Sequence, residues 1–274
     1  MGRRQTHPTR HPTDLTDEEW DDLKALVPAP KSGKGKRGRP LKLDRRSLVN
    51  AICYGNRSGG AGRLLPRALG PWQTVYGYDR CWSQDGTWGF IHDPLRDGGR
   101  KTEERKGAPT AAIMDSPSVT PGNPAGERGY DAGKKGLGRT RHVAVDCLGL
   151  ILTILITPAA TQDRDAAKSL IQVLVAMLGR WQILWAEGGA LGALVQWGKP
   201  RRPFGKLRLE IVRRSDRAKG FKVRPKRGRV ERPFGWFIKS RRLCRDDEVR
   251  LDHREAMIRI CMIRLMLKRL ANTS

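Results

Sequence analysis

Two apolar runs joined by a Leu-Gly step constrain the fold of this chain more than any other feature. The runs extend from Arg141 to Cys147 and from Leu150 to Ile156, with Leu148-Gly149 between them. Apolar, β-branched segments joined by a short Gly-containing turn are typical of two antiparallel strands. The sequence therefore predicts a β-hairpin at residues 141–156.

Strands and helices alternate around this hairpin from Ala111 onward. Three further strands are predicted, over residues 111–115, 182–186 and 207–212, and helices over residues 166–178, 229–243 and 255–270. Pro233 restricts the second of these helices to starting near Arg232 or being kinked there. The apolar face of the last helix is expected to pack as core. This half of the chain therefore belongs to the α/β (α+β) class with a mixed sheet.

The residues before Ala111 predict short helices instead of strands. Thr16 and Glu19 have the spacing of a capping box, Asp44 can cap a second helix, and Pro71 lies in the first turn of a third helix over residues 71–82. A fourth helical segment runs from Thr87 to Leu95. With three polar residues exposed on the third helix, this part suits a helix-turn-helix-like DNA-binding module; the three are Gln73, Thr74 and Arg80. The alternative is a small helical domain whose Trp and Tyr residues fill its core.

The charge of the chain indicates a polyanionic partner. It carries 54 Lys and Arg against 28 Asp and Glu, a formal net charge of +26. Nucleic acid is the expected partner, because basic side chains that neutralise phosphates release condensed counterions. A membrane surface is the rival partner, but the sequence shows no long basic amphipathic helix, and its longest apolar run, 148–156, is too short to span a bilayer. The five scattered cysteines lack Cys-x-x-Cys spacing, which predicts reduced thiols in a cytoplasmic protein and no zinc knuckle.

Composition also predicts the domain boundaries. Residues 1–14 are expected to be a disordered tail, 15–96 a helical DNA-binding domain, 97–109 a linker, and 110–274 the α/β domain. A Gly-rich basic linker at 31–42 interrupts the helical domain, and its Arg37-Gly38-Arg39-Pro40 segment could lie in the minor groove of A·T-rich DNA. The alternative is a solvated linker that touches phosphates without selectivity.

Three acidic residues form the candidate catalytic site. Asp115 ends one predicted strand, and Glu187 directly follows another. Glu231 comes just after a strongly basic segment, residues 199–229, which contains fourteen Lys or Arg against two acids. If the three carboxylates converge, they offer the hard oxygen ligands that two Mg²⁺ or Mn²⁺ ions require for in-line phosphoryl displacement. Taken alone, three acids of 28 are equally compatible with solvated carboxylates.

Several motifs, in order along the chain, resemble bacterial insertion-sequence transposases of the DDE class, family five. In the second half they are DSPSV at 115–119, RGYDAGKK at 128–135, RHxxVD at 141–146 and VERxFxW at 230–236. In the first half they are LTDEEW at 15–20, GRP at 38–40 and DGTW at 85–88. The resemblance extends from about Leu15 to Leu270.

This resemblance implies a ribonuclease-H-like catalytic domain and a DNA transposase that binds terminal inverted repeats, cleaves them with Mg²⁺ or Mn²⁺ and transfers the strands. It implies that Asp115, Glu187 and Glu231 bind two ions, and that the enzyme works on double-stranded DNA as a homodimer in the bacterial cytoplasm, near the nucleoid. At the second acid the family pattern is Asp-Gly-Gly-Tyr, whereas this chain has Glu187-Gly188-Gly189-Ala190. The extra methylene displaces the carboxylate by about 1 Å, which can cost about a hundredfold in rate. A decayed copy that only binds DNA is therefore the second hypothesis.

Other polar residues have a functional and a structural interpretation. Tyr130, Lys134, Lys135 and Arg227 could contact DNA, although each is equally compatible with a solvated surface. The sequence predicts that His142 is packed or hydrogen-bonded, and that Asp146 and Asp163 are structural acids at a turn and at a helix start. A basic RNA-binding protein without catalytic activity is a third hypothesis, which requires the motifs to be coincidental.

Overall fold

The predicted hairpin is present and lies inside a larger mixed sheet. The computed structural model describes residues 11–30, 43–120, 122, 126–132, 135–177, 182–187, 208–212 and 227–272. Its strands are β1 (Ala111–Asp115), β2 (Ser118–Val119), β3 (Gly129–Asp131), β4 (Gly136–Val145), β5 (Ile151–Pro158), β6 (Ile183–Glu187) and β7 (Arg208–Val212). The hairpin consists of β4 and β5, and β4 begins five residues before the predicted strand, at Gly136 rather than Arg141.

The sheet joins an antiparallel half to a parallel half at β1. β4 lies between β5 and β1 and is antiparallel to both, and the short strands β2 and β3 also pair with it. On its other edge β1 is parallel to β6, and β6 is parallel to β7. The spatial order is therefore β5-β4-β1-β6-β7. Parallel pairing brings the carboxyl ends of β1, β6 and β7 to one edge of the sheet.

Helices occupy both halves of the chain. They are α1 (Asp17–Leu23), α2 (Arg45–Ser58), α3 (Trp72–Gln84), α4 (Thr87–Thr102), α5 (Asp163–Met177), α6 (Arg227–Ile238), α7 (Arg241–Cys244) and α8 (Leu251–Ala271), with 3-10 turns at Gly62–Leu64 and Arg67–Leu69. The predicted caps are confirmed. The Thr16 hydroxyl accepts a bond from the Glu19 amide while the Glu19 carboxylate accepts one from the Thr16 amide, and Asp44 accepts a bond from the Ser47 amide. The predicted helix at residues 229–243 begins instead at Arg227, includes Pro233 and ends at Ile238.

The two faces of the sheet are covered by different helices. Along β1, Ala112 and Met114 pack with α5 in one apolar cluster, whereas Ile113 packs in a second cluster with residues of α6 and α8. This alternation follows from the twofold period of a strand. Asp115, two residues after Ile113, therefore belongs to the face that α6 covers.

The second cluster continues from the sheet into the N-terminal helices. The fully buried residues of α8, among them Ile258, Ile260 and Met262, share it with residues of α1 to α4. α8 contacts each of these four helices as well as β5. The C-terminal helix therefore packs simultaneously on the helical N-terminal region and on the sheet.

Two predicted segment boundaries differ from the structure. The linker placed at residues 97–109 is helical up to Thr102, because α4 runs on through Gly98 and Gly99 along α8. Residues 11–14, assigned to a disordered tail, form a turn in which the His11 amide donates to Asp14 and the His11 ring meets Tyr54 edge-on at 4.7 Å. Residues 1–10 and 31–42 lie outside the described residues, so the rest of the tail and the basic linker stay predictions.

The fold class is confirmed: a helical N-terminal region precedes a mixed-sheet domain with the strand arrangement of a ribonuclease-H-like fold. Within the described ranges, no helix is long and apolar enough to cross a membrane.

Candidate active site

The first two candidate acids lie at the ends of neighbouring parallel strands. Asp115 is the last residue of β1 and Glu187 the last residue of β6. Met114 and Ala186 are paired across these strands, and each acid follows its paired residue by one position. Because neighbouring strands are about 4.8 Å apart, the two backbones are adjacent at this edge. The side chain of Glu187 lies outside the described part of the structure.

The third candidate acid, Glu231, is exposed on α6. α6 contacts β1 and β4, and its buried residues Pro233 and Phe237 anchor it there. Glu231 and Gly235 are four residues apart on α6 and both exposed, so they share one face of the helix. Lys239, also exposed, directly follows the end of the helix at Ile238. The sheet edge that carries Asp115 and the helix that carries Glu231 are therefore in contact, with Glu231 on the solvent side.

The turn after Asp115 is held by a hydrogen-bonded chain through the sheet. The Ser116 amide donates to Oδ1 of Asp115 at 2.8 Å, and Oγ of Ser116 lies 2.8 Å from Nδ1 of His142. On the other side of the ring, Nε2 lies 2.9 Å from Oγ1 of Thr157. His142 is fully buried, and the prediction that it is a hydrogen-bonded histidine is confirmed. Sequence reasoning assigned no role to Ser116 or Thr157, which meet His142 only through the register of β1, β4 and β5.

The two predicted structural acids occupy the predicted places. Asp146, fully buried in the β4–β5 turn, accepts bonds from the amides of Leu148 and Leu150 at 2.9 and 2.8 Å and forms an ion pair with Arg100 of α4. Asp163 is the first residue of α5. Asp146 therefore fixes the turn and joins the sheet to the N-terminal helices.

The candidate DNA contacts on α3 are accessible to different extents. Gln73 and Arg80 are exposed, while Thr74 is half-buried. Trp82 and Trp88 fill the core behind α3 and meet edge-on with ring centroids 5.3 Å apart. α3 therefore combines an aromatic core, as one interpretation predicted, with the exposed polar face that the other requires.

Of the remaining DNA-binding candidates, some lie beside the sheet and the others lie outside the described residues. Tyr130 on β3 is 58% exposed, and Lys135, also exposed, has a backbone φ of 52°, which is uncommon for a residue other than Gly. Arg227 begins α6, but its side chain lies outside the described residues. The same holds for the whole of Arg37, Arg39 and Lys134.

The donor chemistry of the acids suits a hard divalent cation. Mg²⁺ and Mn²⁺ prefer carboxylate oxygens, and Asp115 and Glu231 supply them from elements in contact. Among the described side chains, which do not include that of Glu187, no group of three or more His, Cys, Asp or Glu residues could hold a metal ion. The two described acids therefore fit the expected ions but do not by themselves complete a site.

Comparison with known protein families identifies the family of this chain. The profile of the Transposase DDE domain family matches residues 106–267, more than half of the chain. The chain belongs to this transposase family. A second profile, of a family described as a candidate transposase of the IS4/5 family, matches residues 15–92. The first match covers the sheet with Asp115, Glu187 and Glu231, and the second covers α1 to α3 and the first part of α4.

One curated relative of the transposase has no assigned function. The chain is 36% identical over 61 residues to the uncharacterised protein y4sN of Sinorhizobium fredii. The match covers 22% of this chain and 46% of the relative, so the chain spans less than half of that protein's length. At the level of the family, transposases with DDE domains act on DNA and generally use divalent metal ions.

Proposed function

We propose that this transposase binds the terminal inverted repeats of an insertion sequence and catalyses metal-dependent DNA cleavage and strand transfer. The observation that carries the proposal is the placement of the three acids. Asp115 and Glu187 end adjacent parallel strands, and the helix with Glu231 packs on β1. Carboxyl ends of parallel strands, with a helix beside them, are where α/β folds gather catalytic groups.

The three acids would hold two Mg²⁺ or Mn²⁺ ions. Bound there, such ions would activate the attacking oxygen and stabilise the leaving oxygen of an in-line displacement. The protein's own part is to fix the ligands. Ser116 donates to the Asp115 carboxylate, and buried His142, which is hydrogen-bonded to Thr157 on its other side, holds Ser116 in place. Glu231 points to solvent from an anchored helix, so a DNA strand can approach it.

We assign DNA recognition to the region before the sheet, residues 15–96, and catalysis to residues 110–274. The exposed face of α3, with Gln73 and Arg80, supports a role for this helix in reading DNA, with Thr74 at its edge. Arg37 and Arg39 would contact the minor groove, and Tyr130, Lys134, Lys135 and Arg227 would contact DNA near the acids. A homodimer would hold the two element ends together.

A second candidate function is DNA binding without cleavage. It is motivated by the second acid, where Glu187 replaces the Asp of the family pattern and Ala190 replaces the Tyr. A longer side chain at this position would shift one metal ligand by about 1 Å, enough to reduce the rate about a hundredfold.

The test is cleavage of a duplex that carries the inverted repeats flanking the gene, with Mg²⁺ or Mn²⁺. We expect the purified protein to nick this duplex at the element end, and the Asp115→Ala variant to bind it without nicking. EDTA should abolish nicking and leave binding in place.

The same assay separates the two candidate functions. If the unmodified protein binds but does not cut, and Glu187→Asp restores cutting, the second function replaces the first. If neither protein binds the duplex above a scrambled one, both functions are wrong.

A further inference from the structure

A basic cavity of about 290 Å³ lies between the N-terminal helices and the catalytic domain. Arg57 of α2 lines one side, and Trp236 and Lys239 of α6 and the following turn line another. Arg264 and Lys268, one turn apart on α8, complete the basic wall. None of these residues was among the sequence-predicted site residues, although Trp236 lies within the VERxFxW motif.

The cations of the cavity are only partly neutralised. Arg264, half-buried, donates to Glu19 of α1 at 2.9 Å. Arg57, Lys239 and Lys268 are exposed at the cavity, and within the described residues none of them forms an ion pair. Like charges that converge in this way repel one another until an anion enters. The cavity is therefore arranged for an anionic ligand.

The position of the cavity relative to Glu231 indicates which anion enters. Lys239 follows Glu231 by eight residues; it is exposed and is the first residue after α6. At about 1.5 Å per residue, the two positions are about 12 Å apart along the helix axis. Trp236 presents a ring at the cavity, and Arg269 lies over that ring at 4.8 Å. Cations beside an aromatic ring, about two turns along the chain from a candidate catalytic acid, suit a nucleic-acid backbone.

We propose that this cavity binds a phosphodiester group of the DNA backbone a short distance from the cleavage point. The inference rests on the proposed function, because it takes DNA as the occupant. The phosphate would contact α2 of the recognition region together with α6 and α8 of the catalytic domain. Binding of a DNA end would thereby reinforce the contact between the two regions.

The salt dependence of DNA binding tests this assignment. Binding of a random-sequence duplex is measured by fluorescence anisotropy from 50 to 200 mM salt, so the assay does not depend on cleavage or on the element ends. Loss of one phosphate contact in the Lys239→Gln/Lys268→Gln variant should lower the slope of log K against log salt by about 0.9. A fourfold rise in salt would then cost this variant roughly 3.5-fold less affinity than it costs the wild type.

Two controls separate a lost contact from a disturbed fold. Lys239→Arg/Lys268→Arg keeps both charges and should retain the wild-type slope. Lys168→Gln removes a cation on α5, which covers the opposite face of the sheet. This variant should also retain the wild-type slope. Without DNA the Gln variant should melt at or above the wild-type temperature, because it removes repulsion.

The outcomes are distinguishable. A Gln variant whose slope equals that of Lys168→Gln overturns the cavity assignment and leaves the proposed function standing. A wild-type protein that binds neither this duplex nor the inverted-repeat duplex overturns both. If the Gln variant loses binding of poly-glutamate while its DNA slope is unchanged, the cavity accepts an acidic protein segment and the assignment to DNA is wrong.

Discussion

A buried Asp–His contact attaches the candidate recognition helix to the C-terminal helix. Nε2 of His253 in α8 lies 3.1 Å from Oδ2 of Asp79 in α3, and Trp88 donates to the other carboxylate oxygen at 3.2 Å. Tyr76 stacks on the imidazole with ring centroids 6.4 Å apart, and Glu248 lies 3.9 Å away. Because Asp79 directly precedes exposed Arg80, this contact helps to fix the face of α3 that we assign to DNA.

The Asp79–His253 contact makes stability dependent on pH. Burial lowers the pKa of His253, but the hydrogen bond and charge of Asp79, together with Glu248, outweigh burial and raise the pKa above its ordinary 6.5. The stabilising contribution is therefore fully present below pH 6.5 and is lost as pH rises through the folded-state pKa. We expect His253→Gln to lower the melting temperature at pH 6 by more than at pH 8.5. A difference that stays constant from pH 6 to 8.5 would show that His253 carries no charge in this contact.

At the scale of single residues, the sequence predicted what depends on neighbours along the chain. Thr16 and Glu19 are three residues apart, and this spacing alone specifies the capping box that the structure contains. Ser116, His142 and Thr157 are brought together by the pairing of three strands, and no local spacing specifies that pairing. The acids of the site could be proposed from the sequence, but the residues that support Asp115 could not.

Among the elements, α6 depends on an unusual contact with the β4–β5 turn. Pro233 has no N–H to donate to the Arg229 carbonyl one turn earlier. That carbonyl lies against Gly149, where a Cβ atom would come within 3.0 Å of the oxygen and 3.3 Å of the Trp236 ring. Gly149 also has a φ of 80°, which side chains rarely tolerate. The absence of a side chain at Gly149 therefore lets the helix that carries Glu231 approach the sheet.

A Gly149→Ala substitution should loosen the helix that carries Glu231. We expect the free energy of unfolding to fall by about 1–3 kcal/mol from backbone strain. The added methyl group also displaces the first turns of α6, so nicking should fall more than DNA binding does. Urea unfolding and the nicking assay measure the two effects on the same protein.

Gly235→Ala in the same helix is the matched control. A Cβ atom there meets no other atom within 4 Å, and Gly235 is exposed. Because Gly disfavours a helix interior, this change should stabilise the protein by about 0.5–1 kcal/mol and leave nicking unchanged. Equal effects of the two substitutions would contradict the role given to the Gly149 contact.

The extent of α4 shows why element boundaries were harder to predict than elements. The predicted helix ended at Leu95, before the boundary segment rich in Gly, Lys and Arg. Gly98 and Gly99 in that segment each disfavour a helix by about 1 kcal/mol. In the structure α4 continues to Thr102 and packs along α8, and a Cβ at Gly98 would lie 3.8 Å from Leu270. Contact with a helix more than 150 residues away in sequence outweighs the local propensity. The hairpin needed no such distant partner, and its two paired strands were predicted correctly although β4 begins at Gly136.

For the molecule as a whole, α8 makes the N-terminal helices and the sheet share one core. One apolar cluster runs from Leu15 near the start of the described chain to Leu267 near its end. Polar contacts cross the same boundary: Asn56 of α2 donates to the Met257 carbonyl at 2.8 Å, and Arg100 of α4 pairs with Asp146 of the β4–β5 turn. A division into two regions by function is therefore compatible with a single folding unit.

The shared core predicts that the chain unfolds in one cooperative transition. Ile260, fully buried in α8, lies in the cluster that joins both regions, so Ile260→Ala should cost about 2–5 kcal/mol. In urea, hydrogen exchange of α3 and α4 and hydrogen exchange of β4 and β5 should shift to lower midpoints together. Val173→Ala, at a position 45% exposed on α5, should change the free energy of unfolding by less than about 0.5 kcal/mol. Separate transitions for the helices and the sheet, with only one shifted by Ile260→Ala, would show instead that two independent domains meet at α8.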